Sequence, residues 1–189
     1  MKVANERNIR HLSLEEINDF FQSIGEPKFR AKQLYEWLWQ KHAHSFADMT
    51  NLSKELRQKL GETFTLPALA VDATQYSADG TVKSRFRTHE GHLIEGVLIP
   101  TDERKTACVS SQIGCSLSCK FCATGYIDRK RNLNYDEIYD QVVLINQQSE
   151  KVYQKKLTNI VFMGMGEPLL HYKNVLKAVE RITSPDGLG

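Results

Sequence analysis

Cys115, Cys119 and Cys122 place three thiols within eight residues, in the run Cys-Ser-Leu-Ser-Cys-Lys-Phe-Cys. Thiolates are ligands for soft metals and for iron–sulfur clusters. Three of them on a four-iron cubane leave one iron without a protein ligand, which suits a site where substrate must coordinate metal. Cys108 is the remaining cysteine of the chain, seven residues earlier. Two other arrangements use the same residues: a zinc knuckle with Cys108 as fourth ligand, and structural buried thiols. Zinc sites usually pair two C-x2-C units, or one such unit with two histidines. Only Cys119 and Cys122 form one here, so the spacing favours a 4Fe–4S cluster.

A second candidate lies downstream. Met163-Gly-Met-Gly-Glu-Pro168 follows the nearly all-apolar run Leu157 to Met163, which reads as a buried parallel strand. Glycines such as Gly166 let backbone N–H groups approach a ligand closely, and the Glu167 carboxylate can pair with an ammonium group. The same tripeptide, Gly25-Glu26-Pro27, occurs between two helical segments with no strand before it; there it reads as a helix breaker. Glu95 stands inside the apolar run Leu93 to Ile99. A carboxylate buried there is expected to have a raised pKa unless a partner holds it. Glu95 is thus either a general base or a structural carboxylate salt-bridged to Arg85 or Arg87 across the hairpin. Cys108 is either a redox or covalent participant or a small buried hydrophobe.

The elements that must carry these residues follow from pattern. Ser13 with Glu16 is a capping box ahead of the apolar stripe Leu14, Ile17, Phe20, Phe21, Ile24. A second helix is expected over Phe29–Lys41, burying Phe29, Leu34, Trp37 and Leu38, and Ser53 caps a third that buries Leu56, Leu60 and Phe64. Beyond Pro67 the period shortens. Residues 83–89 and 92–99 read as strands around a Glu90-Gly91 turn. Thr106 to Ser110 reads as a strand running into the cysteine loop, Asn134 with Glu137 starts a helix to about Gln148, and a last helix follows Pro168 to about Arg181. The alternation predicts an α/β fold: a small N-terminal helical domain, a β-hairpin, and the first βα units of an incomplete (β/α) partial barrel. The expected divisions are 1–67 helical, 68–105 linker and hairpin, and 106–189 core.

The chain has 189 residues, 41% hydrophobic and 25% charged, with a net charge of +2. That charge is too small to argue for nucleic acid. Local clusters say more, among them Lys28, Arg30 and Lys32; Arg129, Lys130 and Arg131; and Lys155 and Lys156. No run approaches the roughly 20 apolar residues of a membrane span, and Met1 to Arg10 lacks the apolar core of a signal peptide. The expectation is a cytoplasmic, monomeric protein with no membrane partner. With two βα units and no cysteine after Cys122, the chain is expected to be a fragment.

The C-x3-C-x2-C spacing, with Phe121 before the last cysteine, resembles the signature of the radical S-adenosylmethionine superfamily. The runs Cys108-Val-Ser-Ser-Gln-Ile-Gly-Cys115, Arg131-Asn-Leu133 with Glu137-Ile138 and Gln141-Val142, Asn159 to Leu170, and Gly25 to Leu34 are similar to the RlmN/Cfr family of RNA methyltransferases. The resemblance implies a partial barrel whose 4Fe–4S cluster, on Cys115, Cys119 and Cys122, binds S-adenosylmethionine, with Glu167 on its amino group. It implies methylation at carbon 2 of adenosine 2503 in 23S rRNA and of adenosine 37 in tRNA. The Cfr-type alternative methylates carbon 8, and a non-catalytic RNA-binding module with a zinc site is a further one. The resemblance also implies a flavodoxin-like electron donor and an N-terminal domain that contacts RNA. Glu95 would remove the ring proton, and Cys108 would form a transient disulfide with a methyl-carrying cysteine. That cysteine has no counterpart here, so the chain alone is expected not to turn over.

Overall fold

The computed structural model describes residues 7–189, which divide into two units: one through Pro67 together with Thr183–Gly189, and one of Ala68–Ile182. In the first unit, α1 (Leu14–Ser23) starts at the capping box: Ser13 Oγ accepts from the Glu16 amide at 3.1 Å, and Glu16 Oε2 accepts from the Ser13 amide at 2.8 Å. It ends before Gly25, which takes a positive φ of 78° that other residues avoid. The first Gly-Glu-Pro is therefore a helix terminus. Helix α2 (Phe29–Trp39) buries Ala31, Leu34, Leu38 and Trp39, and α3 (Lys54–Thr63), capped by Ser53, buries Leu56 and Leu60. Phe29 was expected inside but is 56% exposed. It is the first residue of α2, off the stripe that Ala31, Leu34 and Leu38 define, and the Arg30 guanidinium lies 5.1 Å from its ring centre. Trp39, rather than Trp37, is the indole in the core.

The second unit is mixed α/β. A five-stranded sheet runs in the order β1 (Ala70–Tyr76), β2 (Val82–Arg87), β3 (Leu93–Pro100), β4 (Lys105–Cys108), β7 (Asn159–Val161). The first four pair antiparallel, and β4 pairs β7 parallel. A two-stranded ladder, β5 (Gln112–Ile113) with β6 (Arg131–Asn132), precedes α4 (Tyr135–Tyr153), and α5 (Tyr172–Thr183) follows β7. Strand β1 was not expected. The strands of residues 68–105 lie in the same sheet as β4 and β7.

Alternation assigns the two faces of the sheet. Ser84, Phe86, Ile94, Leu98 and Ala107 are fully buried, and α4 covers this side with Ile138, Val142 and Ile145. A Cβ on Gly96 would lie 2.8 Å from Phe86 and 3.0 Å from Ile145, and Gln148 Nε2 donates to Ser84 Oγ at 2.7 Å. Each fully buried large apolar side chain here contributes about 1.5–3 kcal/mol. The other side carries Lys83, Arg85 and Arg87 on β2, Glu95 and Val97 on β3, and Cys108 on β4, where Val97 pairs with Cys108. No helix among the described residues is long and apolar enough to cross a membrane.

Candidate functional site

Strands β4 and β7 lie side by side in parallel, so both C-terminal ends open on the same edge. In parallel α/β architectures that edge is where ligands bind, because loops rather than helices leave from it. The cysteine loop leaves β4 there, and the second Gly-Glu-Pro loop leaves β7. The three cysteines therefore share a rim with Glu167.

The cysteine loop closes at its base. Ile113 pairs with Arg131 and Gln112 with Asn132, while the Cys115 amide donates to Ile127 O at 3.1 Å. All four cysteines are free thiols. Cys115, Cys119 and Cys122 are half-buried, and backbone N–H groups of Thr124 and Gly125 hydrogen-bond Cys122, lowering its thiol pKa. Amide donors on sulfur also suit a cluster thiolate. Among the described residues, no three His, Cys, Asp or Glu side chains converge on a single-ion site.

Buried polar groups knit the two loops together. Gln141 of α4 is fully buried; its Oε1 accepts from the Ser110 amide at 2.8 Å, and its Nε2 donates to Ser110 O at 3.0 Å. Ser110 Oγ accepts from the Met165 amide at 2.8 Å and donates to Glu95 O at 2.6 Å. Gln112 Oε1 accepts from the Glu167 amide at 3.0 Å, and Gln112 Nε2 donates to Asn132 Oδ1 at 2.8 Å. Gly166, at φ 94°, leaves room for Gln112: a Cβ there would sit 2.5 Å from Gln112 Cβ. Glu167 Oε1 accepts from the Leu169 amide at 3.0 Å, which orients its carboxylate. The His171 ring lies near Ser111 and Glu167, and burial lowers its pKa.

Ser110, Gln112 and Gln141 lie in runs that carry the family resemblance, but the sequence assigned no role to them or to His171. A signal existed for Gln141, a polar residue between Ile138, Val142 and Ile145 on the stripe of α4 that faces the core.

Glu95 requires a correction. Its side chain is 45% exposed, because its strand position faces away from α4, and its partner is Lys83 Nζ at 2.8 Å. Arg85 and Arg87 both pair with Asp72. The desolvation premise for a general base is therefore not met, while the position is open to a ligand. Cys108 is 9% exposed on that same side of the sheet. Burial pushes its thiol pKa up, against a hydrogen bond from the Met163 backbone. Its thiolate thus forms only as pH rises above the ordinary thiol range. In the metal-free chain, iodoacetamide is expected to label Cys122 well before Cys108 near neutral pH, with the lag closing under alkaline conditions. Peptide mass mapping checks this; equal rates at neutral pH would contradict the burial of Cys108.

Residues 7–66 match the family described as the ribosomal RNA large subunit methyltransferase N-terminal domain. A protein of Cytophaga hutchinsonii named probable dual-specificity RNA methyltransferase RlmN is 60% identical over 180 residues, 95% of this chain and 49% of the relative. The dual-specificity RNA methyltransferase RlmN of Geotalea uraniireducens is 46% identical over 95% of this chain and 51% of its own length. A crystal structure of a radical SAM methyltransferase from Sphaerobacter thermophilus superposes with a TM-score of 0.83 at 36% identity, covering 96% of this chain and 53% of that one. The chain spans about half the length of the curated relatives it matches. Residues 7–66 thus carry that family's N-terminal domain, and over 95% of its length the chain is similar to about half of each relative named RlmN.

Proposed function

We propose that this chain carries the cluster-binding part of a radical S-adenosylmethionine RNA methyltransferase acting on carbon 2 of adenosine 2503 in 23S rRNA and of adenosine 37 in tRNA. The observation that carries the reading is the joining of the cysteine loop and the Glu167 loop at the ends of adjacent parallel strands, through Ser110, Gln112 and Gln141. Cys115, Cys119 and Cys122 hold the cluster. When bound and reduced by a flavodoxin-like donor, it supplies the electron that opens the carbon–sulfur bond of S-adenosylmethionine. Glu167 pairs with the cofactor's ammonium group, and the Gly166 backbone lets it approach. On the open side of the sheet, Glu95 takes the ring proton once Lys83 has oriented its carboxylate. Cys108, once its thiol has lost its proton, would form a disulfide with the methyl-carrying cysteine as the bond from that cysteine's sulfur to the transferred carbon breaks and the methylated base is released. Its partner cysteine is not in this chain, whose four cysteines are Cys108, Cys115, Cys119 and Cys122.

Anaerobic loading with iron and sulfide tests the reading. The expected result is about four irons and four acid-labile sulfides per chain, S-adenosylmethionine binding that weakens in Glu167→Gln, and no methylated RNA from this chain alone. Zinc without acid-labile sulfide would remove the proposal, and a methylated RNA product would remove the assignment of the methyl carrier elsewhere.

A further inference from the structure

We infer that β2 is a phosphate rail, on which Lys83, Arg85 and Arg87 hold the sugar–phosphate backbone of a single-stranded RNA whose base is presented over Glu95 and Cys108. This rests on the proposed RNA reading and adds the contacts that set where the strand lies. Val82, Ser84 and Phe86 are buried, while Lys83, Arg85 and Arg87 alternate with them and are exposed on the side away from α4. The Lys83–Glu95 ion pair places that row on the same side as Glu95, and the pairing of Lys83 with Val97, and of Val97 with Cys108, carries it across to the thiol.

Two spacings support the assignment. Alternate residues on a strand repeat at about 6.7 Å, commensurate with successive phosphates along an RNA strand. Neighbouring strands lie about 4.8 Å apart, so β2 is about 5 Å from Glu95's strand and about 10 Å from Cys108's. That is the order of the reach from a nucleotide's phosphate, across its ribose, to the far edge of its purine.

The third observation is Asp72. It stands at the bulge of β1, where the register with β2 shifts between Val71 and Ala73, and its side chain is only 6% exposed. Arg85 donates to its Oδ2 through Nε at 2.6 Å and NH2 at 2.5 Å, and Arg87 NH2 pairs with its Oδ1. A carboxylate shared by two guanidiniums does not neutralise both. It pins them, while about half of each arginine side chain stays exposed. Each guanidinium has five N–H donors, so donors are left over, and pinning lowers the entropy lost when an anion arrives.

The test is binding of the metal-free chain to a fluorescein-labelled, adenosine-containing single-stranded oligoribonucleotide, by anisotropy over a salt series. Arg87→Gln is expected to weaken binding about three- to tenfold and to lower the slope of log K against log salt by about 0.7, one single-strand phosphate contact. The triple variant Asp72→Asn, Arg85→Gln, Arg87→Gln, which leaves no buried carboxylate stranded, is expected to lose about 1.4 in slope, with circular dichroism confirming the fold. Lys156→Gln removes the same charge in the segment between α4 and β7 and is expected to leave the slope unchanged. A folded triple variant with the parental slope overturns the rail alone. A parent chain that binds no RNA at any salt overturns the RNA reading and the rail with it.

Discussion

Replacing Cys119 by alanine is expected to abolish iron retention, whereas replacing Cys108 by alanine leaves it intact. The contrast separates the two metal readings of the same four thiols. A cubane on Cys115, Cys119 and Cys122 has no use for Cys108, whereas a zinc knuckle needs it as fourth ligand. The four thiols belong to two different elements. Cys108 lies at the end of β4, paired with Val97, and its thiol takes a hydrogen bond from the Met163 backbone. The other three belong to a loop closed at its base by β5 and β6. After anaerobic loading, iron in Cys119→Ala, Cys115→Ala or Cys122→Ala should fall from about four per chain to near zero, with loss of the visible absorbance of the cluster. Retention of metal in Cys119→Ala, or its loss in Cys108→Ala with the fold intact, would overturn the ligand set.

The sequence was most informative where the physics is local. The capping boxes at Ser13 and Asn134 formed as expected, because side chain and amide lie three residues apart in any context. The two Gly-Glu-Pro copies separated by context, one ending a helix at Gly25 and one following β7. What failed depends on distant partners. Strand β1, Ala-Val-Asp-Ala-Thr-Gln-Tyr, is mostly exposed, so it carries little of the apolar alternation that marks a half-buried strand. Its place on the sheet edge involves Asp72 gripping two arginines of β2. Glu95 misled for a related reason: an apolar run suggests burial on both faces, but only one face of β3 is covered by α4. The Ser110–Gln141 and Gln112–Glu167 contacts span 31 and 55 residues, and no periodicity reports them.

Arg131→Ala is expected to destabilise the chain by about 2–4 kcal/mol, at the lower part of the range for breaking a buried pair because the arginine is partly exposed. Arg131 NH1 and NH2 donate to Glu137 Oε2 and Oε1, each at 2.7 Å; Nε donates to Glu90 Oε2 at 2.7 Å, and NH1 also donates to Asn132 O at 3.0 Å. One planar guanidinium thus ties the β2–β3 turn, the strand closing the cysteine loop and the first turn of α4. Glu137 is already committed, since its Oε2 also accepts from the Asn134 amide at 2.9 Å, and its side chain is 10% exposed. Removing the arginine leaves that carboxylate without its cation, whereas Arg131→Lys keeps charge but loses the fork and should recover less than half the loss. The exposed Glu90 link contributes little by itself; Arg131 lowers the Glu90 pKa, so the stability it gives is present above the ordinary carboxylate range and is lost as pH falls through the lowered value. Urea unfolding of Arg131→Ala, Glu137→Ala and the double variant measures the coupling, and iron retention in the same proteins reports the loop. A midpoint unchanged in Arg131→Ala would show that β5, β6 and α4 hold the cysteine loop without it.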